Sequence, residues 1–185
     1  FIIHIPKTAG TSVTKSIYGT DVNYFHYDWH DLKVIMKKNF HNYFSFSIVR
    51  NPWDRCFSAY EYLKIGGGNA NDKLFYEKYL ACYNNFEDFI KNGLSKQKVL
   101  NGIHFVPQSN FIFSADDKCM VDYILRFETI ESDYNFIKNK LGGEDLLKYR
   151  INRINHNYNK FYDKEMERIV SKLYNRDIRL LKYSF

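Results

Sequence analysis

The chain has 185 residues, of which 45% are hydrophobic and 26% charged. That balance excludes a disordered tail and a membrane protein, and the length fits one ordinary domain, residues 1–185, that buries its own core. Lys and Arg number 27 against 21 acidic residues, a net charge of +6, and 16 Phe, 16 Tyr and 2 Trp give an aromatic excess. A basic, aromatic-rich domain points to an anionic partner, either nucleic acid or a phosphorylated small molecule. Cys56, Cys82 and Cys119 form no C-x-x-C pair, which argues against a disulfide scaffold and a structural zinc site. No apolar run approaches the roughly 20 residues that span a bilayer, and no signal peptide is visible. The chain opens at Phe1 rather than Met, so residues upstream are expected.

Residues 1–5 are apolar and β-branched and predict a strand. The small-residue loop Pro6-Lys7-Thr8-Ala9-Gly10-Thr11-Ser12 follows, and residues 13–18 continue as a helix. Trp29, Leu32, Ile35 and Met36 are at helical spacing and predict a helix over 29–38. Residues 43–49 repeat the first pattern as a second strand ending at Arg50-Asn51-Pro52-Trp53. Pro52 suits the first turn of a helix reaching Leu63, with Asn51 as its N-cap. Gly66-Gly67-Gly68-Asn69 reads as a flexible break. A short helix is predicted over 86–91 and a third strand over 121–127. A helix over 130–141 ends at the C-cap signal Gly142-Gly143, and 163–181 reads as one long amphipathic helix. Strands alternating with helices imply an α/β fold with a parallel sheet covered on both faces.

The first loop has the makings of an anion site. Amide N–H groups at a helix N-terminus point outward, small residues let the backbone approach a ligand, and Lys7 supplies counter-charge. It is not a Walker loop, because Lys7 opens the loop instead of preceding the Ser/Thr, and the first Gly is missing. Arg50 stands at the carboxyl end of its strand, where open α/β sheets bind ligands. Its planar, always-charged fork suits phosphate, and Ser58, two turns into the next helix, offers a hydroxyl. Each element alone has an ordinary structural explanation as a turn, a cap or a gap-filler. Together they suggest a ligand with two separated phosphate groups.

His4-Ile5-Pro6-Lys7-Thr8-Ala9-Gly10-Thr11-Ser12 resembles the 5′-phosphosulfate loop of sulfotransferases that use 3′-phosphoadenosine 5′-phosphosulfate (PAPS). Val49-Arg50-Asn51-Pro52-Trp53-Asp54-Arg55-Cys56-Phe57-Ser58-Ala59-Tyr60 is similar to their 3′-phosphate motif. The likeness is to the group of carbohydrate sulfotransferases with bacterial relatives. It extends through His104-Phe105-Val106-Pro107-Gln108-Ser109, Arg126-Phe127-Glu128 and residues 177–183. The resemblance implies a P-loop-like three-layer α/β/α domain that transfers a sulfuryl group from PAPS to a hydroxyl, releasing 3′-phosphoadenosine 5′-phosphate (PAP). Lys7, Thr8, Ala9, Gly10, Thr11 and Ser12 would hold the 5′-phosphosulfate, and Arg50 and Ser58 the 3′-phosphate. His104 and Gln108 would lie towards the acceptor, a saccharide by family analogy, with a purely structural role as the equal alternative.

In-line transfer needs a base for the acceptor proton and positive charge near the leaving phosphate. Lys7 suits the leaving-group side, and no metal is required. Histidine suits the base, because its pKa lies near working pH. His26 resembles the family's base, a few residues ahead of a helix with an acidic-hydrophobic-basic segment; His30, one turn on, is the runner-up. Bulky Tyr27, Asp28 and Trp29 follow His26, where relatives carry small residues. His4 is expected to pack at the strand, and His41 to be exposed. Trp53 and Tyr60 are expected in the core rather than against adenine, and Asn152, Arg153, Asn155 and His156 in a polar loop, solvated more readily than closed over the nucleotide. A P-loop-type nucleotide kinase and a non-catalytic polyanion binder are the competing classes. The missing Walker pair and Asp122, at the wrong end of its strand for a magnesium ligand, count against the first. Scattered positive residues and no nucleic-acid motif count against the second. Lys-, Asn- and Ile-rich usage suggests an AT-rich bacterium and the cytoplasm; anchored Golgi relatives are the other setting.

Overall fold

The computed structural model describes residues 1–19, 25–146 and 157–185. In chain order the elements are β1 (Ile2–Ile3), α1 (Gly10–Tyr18), α2 (Trp29–Met36), β2 (Phe46–Val49), α3 (Pro52–Lys64), α4 (Ala70–Tyr79) and α5 (Phe86–Asn92). They continue with α6 (Gln97–Leu100), α7 (Ser109–Ile112), β3 (Tyr123–Arg126), α8 (Ile130–Leu141), α9 (Lys164–Leu173) and α10 (Asn175–Leu181). The fold is α/β: a three-stranded parallel sheet and, among the described residues, ten α-helices. No helix among the described residues is long and apolar enough to cross a membrane. The backbone forms two compact units, Phe1–Arg50 with Gln108–Asn155 and Asn51–Pro107 with His156–Phe185.

The first unit holds the sheet, in the order β1-β2-β3. Ile2 pairs with Phe46, and β2 pairs with β3 from Phe46–Tyr123 to Val49–Arg126. Alternation along β2 sends Phe46 and Ile48 to one face, where they meet Leu125 of β3. Val13 of α1 and Ile130, Tyr134 and Ile137 of α8 cover that face. The helical spacing of the last three explains why α8 packs there. The expected end of α8 holds, with Gly142 as its C-cap at φ 79°. Asp122 precedes β3, and its carboxylate accepts hydrogen bonds from the Ser45 amide and hydroxyl.

The second unit is helical, and much of the aromatic excess lies there. Trp53, Cys56, Phe57, Tyr60 and Leu63 form one face of α3 and pack with Phe86, Phe89 and Ile90 of α5 and Met166 and Val170 of α9. Rings meet edge-on or offset, as at Phe57–Phe86 (5.0 Å) and Tyr60–Phe89 (5.2 Å). Trp53 and Tyr60 are core residues, as expected. Asn51 caps α3 by accepting the Trp53 N–H, with Pro52 in the first turn. The long helix expected over 163–181 is instead α9 and α10, which meet at Tyr174. Tyr174 is buried, donates to the Phe105 carbonyl at 2.8 Å and departs from helical dihedrals at ψ 24°.

The glycine run at 66–68 is pinned in place. The Asp72 carboxylate accepts from Tyr62 Oη, the Gly68 amide, Asn69 Nδ2 and His104 Nε2. Burial pushes this carboxyl up, but the His104, Gly68 and Tyr62 hydrogen bonds outweigh it and hold the carboxyl well below its ordinary 3.8. The stabilisation is therefore complete above that value and lost as pH falls through the folded-state value. Asp72→Asn should lower Tm by roughly 4–8 °C at neutral pH. Thermal scans should show the gap from wild type closing below about pH 4.

Candidate active site

The chain leaves β1 at Ile3 and enters α1 at Gly10. That reversal requires unusual backbone. Lys7 and Ala9 are left-handed at φ 69° and 71°, while the intervening Thr8 is not. Alternating hands curl successive amides into a concave, anion-accepting nest, and the nest leads directly into the N-terminus of α1. Thr8 is fully buried, and its hydroxyl donates to the Ile5 carbonyl at 2.8 Å, so this hydroxyl builds the turn. Gly10 and Ser12 are buried, whereas Lys7, Ala9 and Thr11 are half-buried at the rim. The first intrahelical bond runs from the Val13 amide to the Ala9 carbonyl, so earlier amides lie ahead of the helical ladder. A loop with this curvature, a rim lysine and a helix N-terminus fits a phosphosulfate group.

Arg50 lies at the end of β2 in the same unit. The register that pairs Val49 with Arg126 brings Arg50 beside Phe127, and the guanidinium carbon sits 3.9 Å from the ring centroid. Its Nη1 donates to the Lys7 carbonyl at 3.1 Å. Arg50 therefore braces the left-handed turn and adds permanent positive charge beside it. Gln108, fully buried, holds the Arg50 backbone at both ends: its Oε1 accepts from the Arg50 amide (2.9 Å) and its Nε2 donates to the Arg50 carbonyl (2.7 Å).

His26 is half-buried two residues before Asp28, the N-cap of α2. Its Nδ1 lies 2.8 Å from the His4 carbonyl oxygen. A carbonyl only accepts, so Nδ1 carries a proton, and in the neutral form of the ring the lone pair lies on Nε2. The His4 and His26 rings are 4.7 Å apart between centroids. Burial, and secondarily the neighbouring His26, push the His4 imidazole down to about 3, so His4 is neutral at working pH. His30 is exposed in the first turn of α2, and His41 is exposed as expected. Asp28, His30 and Asp31 bring donor atoms within 4.8 Å of one another, and both carboxylates already serve the reciprocal cap of α2.

His104 and Gln108, expected towards the acceptor, both have structural partners. Gln108 is spent on the Arg50 main chain, and His104, buried in the second unit, commits its Nε2 to Asp72. Their flanking of Pro107 carried no signal of these long-range partners. Ser58 is half-buried on the second turn of α3. Asn152, Arg153, Asn155 and His156 lie outside the described residues.

The turn at 7–9, the Arg50 brace and the His26–His4 bond thus all belong to the first unit. The chain belongs to the sulfotransferase family: the model described as "Sulfotransferase family" matches residues 1–184. It is thereby a member of a family of sulfuryl-transferring enzymes related to carbohydrate sulfotransferases. No curated protein and no solved structure matches the chain.

The buried, neutral His4 has a consequence for stability. The unfolded chain takes up this proton near 6.5 and the folded chain only near 3. Between those values the unfolded state binds more protons, so stability falls as pH drops, by up to about 1.4 kcal/mol per pH unit. Urea titrations from neutral to acid pH should give His4→Phe a shallower acid slope than wild type. Equal slopes would show that His4 protonates freely in the folded protein.

Proposed function

We propose that the protein is a PAPS-dependent sulfotransferase acting on a hydroxyl acceptor, with a carbohydrate as the acceptor class and His26 as the base. The observation that carries this reading is the bond from His26 Nδ1 to the His4 carbonyl. It orients a basic Nε2 from the same segment that opens the anion-cradling turn. PAPS, when bound, supplies the sulfuryl group and departs as PAP. The nest at 7–9 and the amides opening α1 hold the 5′ charges without reorganisation. Lys7 offsets negative charge that grows on the leaving phosphate. Arg50 contributes a fixed guanidinium to the nucleotide, and Ser58 joins it at the 3′-phosphate on the strength of the resemblance. His26 Nε2 takes the proton of the acceptor hydroxyl as its oxygen forms the new bond to sulfur and the bond from sulfur to the bridging oxygen breaks.

Calorimetric titration separates this reading from a nucleotide kinase. PAP should bind at about micromolar Kd, and ATP–Mg at least tenfold more weakly. Tight ATP–Mg binding with no PAP binding would overturn it. Radiolabelled PAPS offered to sugar, lipid and phenol pools should label the sugar pool.

For the base, His26→Ala should lower kcat by roughly 10²–10⁴-fold and leave PAP affinity within about threefold. Full transfer by that variant would remove His26 from the role.

A further inference from the structure

We infer that His4 is a positioning residue: its ring dictates glycine at position 10, and its main chain and ring together orient His26. Gly10 is not required by backbone conformation. It begins α1 and is not among the positive-φ residues, which here include Lys7 and Ala9 instead. Nor does a ligand need to be invoked to explain it. A Cβ built on Gly10 would overlap Cδ2 and Nε2 of His4 and meet its Cγ at 3.0 Å. The obstacle is a buried ring, not the free end of a flexible chain. His4 is only 6% exposed, and the His26 ring stands 4.7 Å from it. Movement away from a new Cβ would therefore disturb His26 or the core.

The ring links both parts of the site. His4 is the first residue beyond β1, and Gly10 is the first residue of α1. The imidazole thus lies against the start of α1, across the base of the anion-cradling turn. The His4 carbonyl in turn holds His26 Nδ1 at 2.8 Å. One residue both bars a side chain at the start of α1 and fixes which nitrogen of His26 is basic. Because burial keeps the ring neutral at working pH, His4 acts by shape and by its carbonyl, without exchanging protons in the reaction.

The catalytic half of this inference rests on His26 as the base, whereas the steric half does not. Gly10→Ala, His4→Ala and the double variant test both, with PAP calorimetry and exchange of the His26 Nδ1 proton measured by NMR alongside kcat and KM. Gly10→Ala should weaken PAP at least tenfold. The double variant should recover PAP affinity to within about threefold of wild type, because the second change removes the overlap. His4→Ala alone should keep PAP affinity within about threefold, lower kcat at least tenfold and speed Nδ1 proton exchange at least tenfold. His4→Phe keeps a ring at this position, so Gly10→Ala/His4→Phe should remain as weak for PAP as Gly10→Ala. Wild-type PAP affinity in Gly10→Ala, or no recovery in a folded double variant, overturns the steric coupling. If either alanine variant fails to fold, the NMR exchange comparison on His4→Phe decides: Nδ1 exchange within threefold of wild type supports positioning by a ring, and faster exchange overturns it. If wild type itself does not bind PAP, the proposed function fails. The same NMR comparison of His4→Ala with wild type then still tests whether His4 orients His26.

Discussion

The site depends on one constraint: the chain must leave a parallel strand and enter a helix with only residues 4–9 between them. Six residues allow no wide loop. The backbone meets the requirement by placing Lys7 and Ala9 in the left-handed region, at a cost of roughly 1 kcal/mol or more for each non-glycine residue. Several contacts offset that cost. Thr8 bonds back to the Ile5 carbonyl, Arg50 bonds to the Lys7 carbonyl, and His4 buries its ring. The curvature that is expensive for folding is also what turns amides toward an anion.

The sheet places what the turn needs. Parallel pairing aligns the carboxyl ends of β2 and β3, so Arg50 follows directly from Val49 and reaches Phe127. Gln108 then fixes Arg50 through its main chain, which leaves the guanidinium to act on the turn. A short strand with both ends of one residue clamped gives a rigid platform for a charge. Gln108 and Arg50 are thereby tied to each other, and Arg50 to the turn, by hydrogen bonds over long separations in the chain.

The basic and aromatic excess divides in the same way. Much of the aromatic excess forms the core of the helical unit, where edge-on and offset ring pairs fill space between α3, α5 and α9. Of the positive charge, Lys7 and Arg50 stand together at the turn after β1. Elsewhere lysines make exposed pairs such as Lys73–Glu77 and Lys164–Glu167, which contribute little to stability.

The sequence by itself determined the elements whose signals are local. Alternating or β-branched runs marked all three strands, Asn51-Pro52 marked the start of α3, and Gly142 marked the end of α8. The order of the two anion motifs, and His26 ahead of a helix, were legible because motifs are read along the chain. Tertiary structure decided the rest. The Gln108 clamp spans 58 residues, and the His104–Asp72 bond spans 32. Nothing in local periodicity encodes which distant backbone a buried amide or imidazole will satisfy. The division of α9 from α10 likewise coincides with Tyr174 reaching a carbonyl 69 residues away. The hydrogen bonding of His26 belongs to the same class: spacing nominated the residue, but only a carbonyl 22 positions earlier fixed which nitrogen donates.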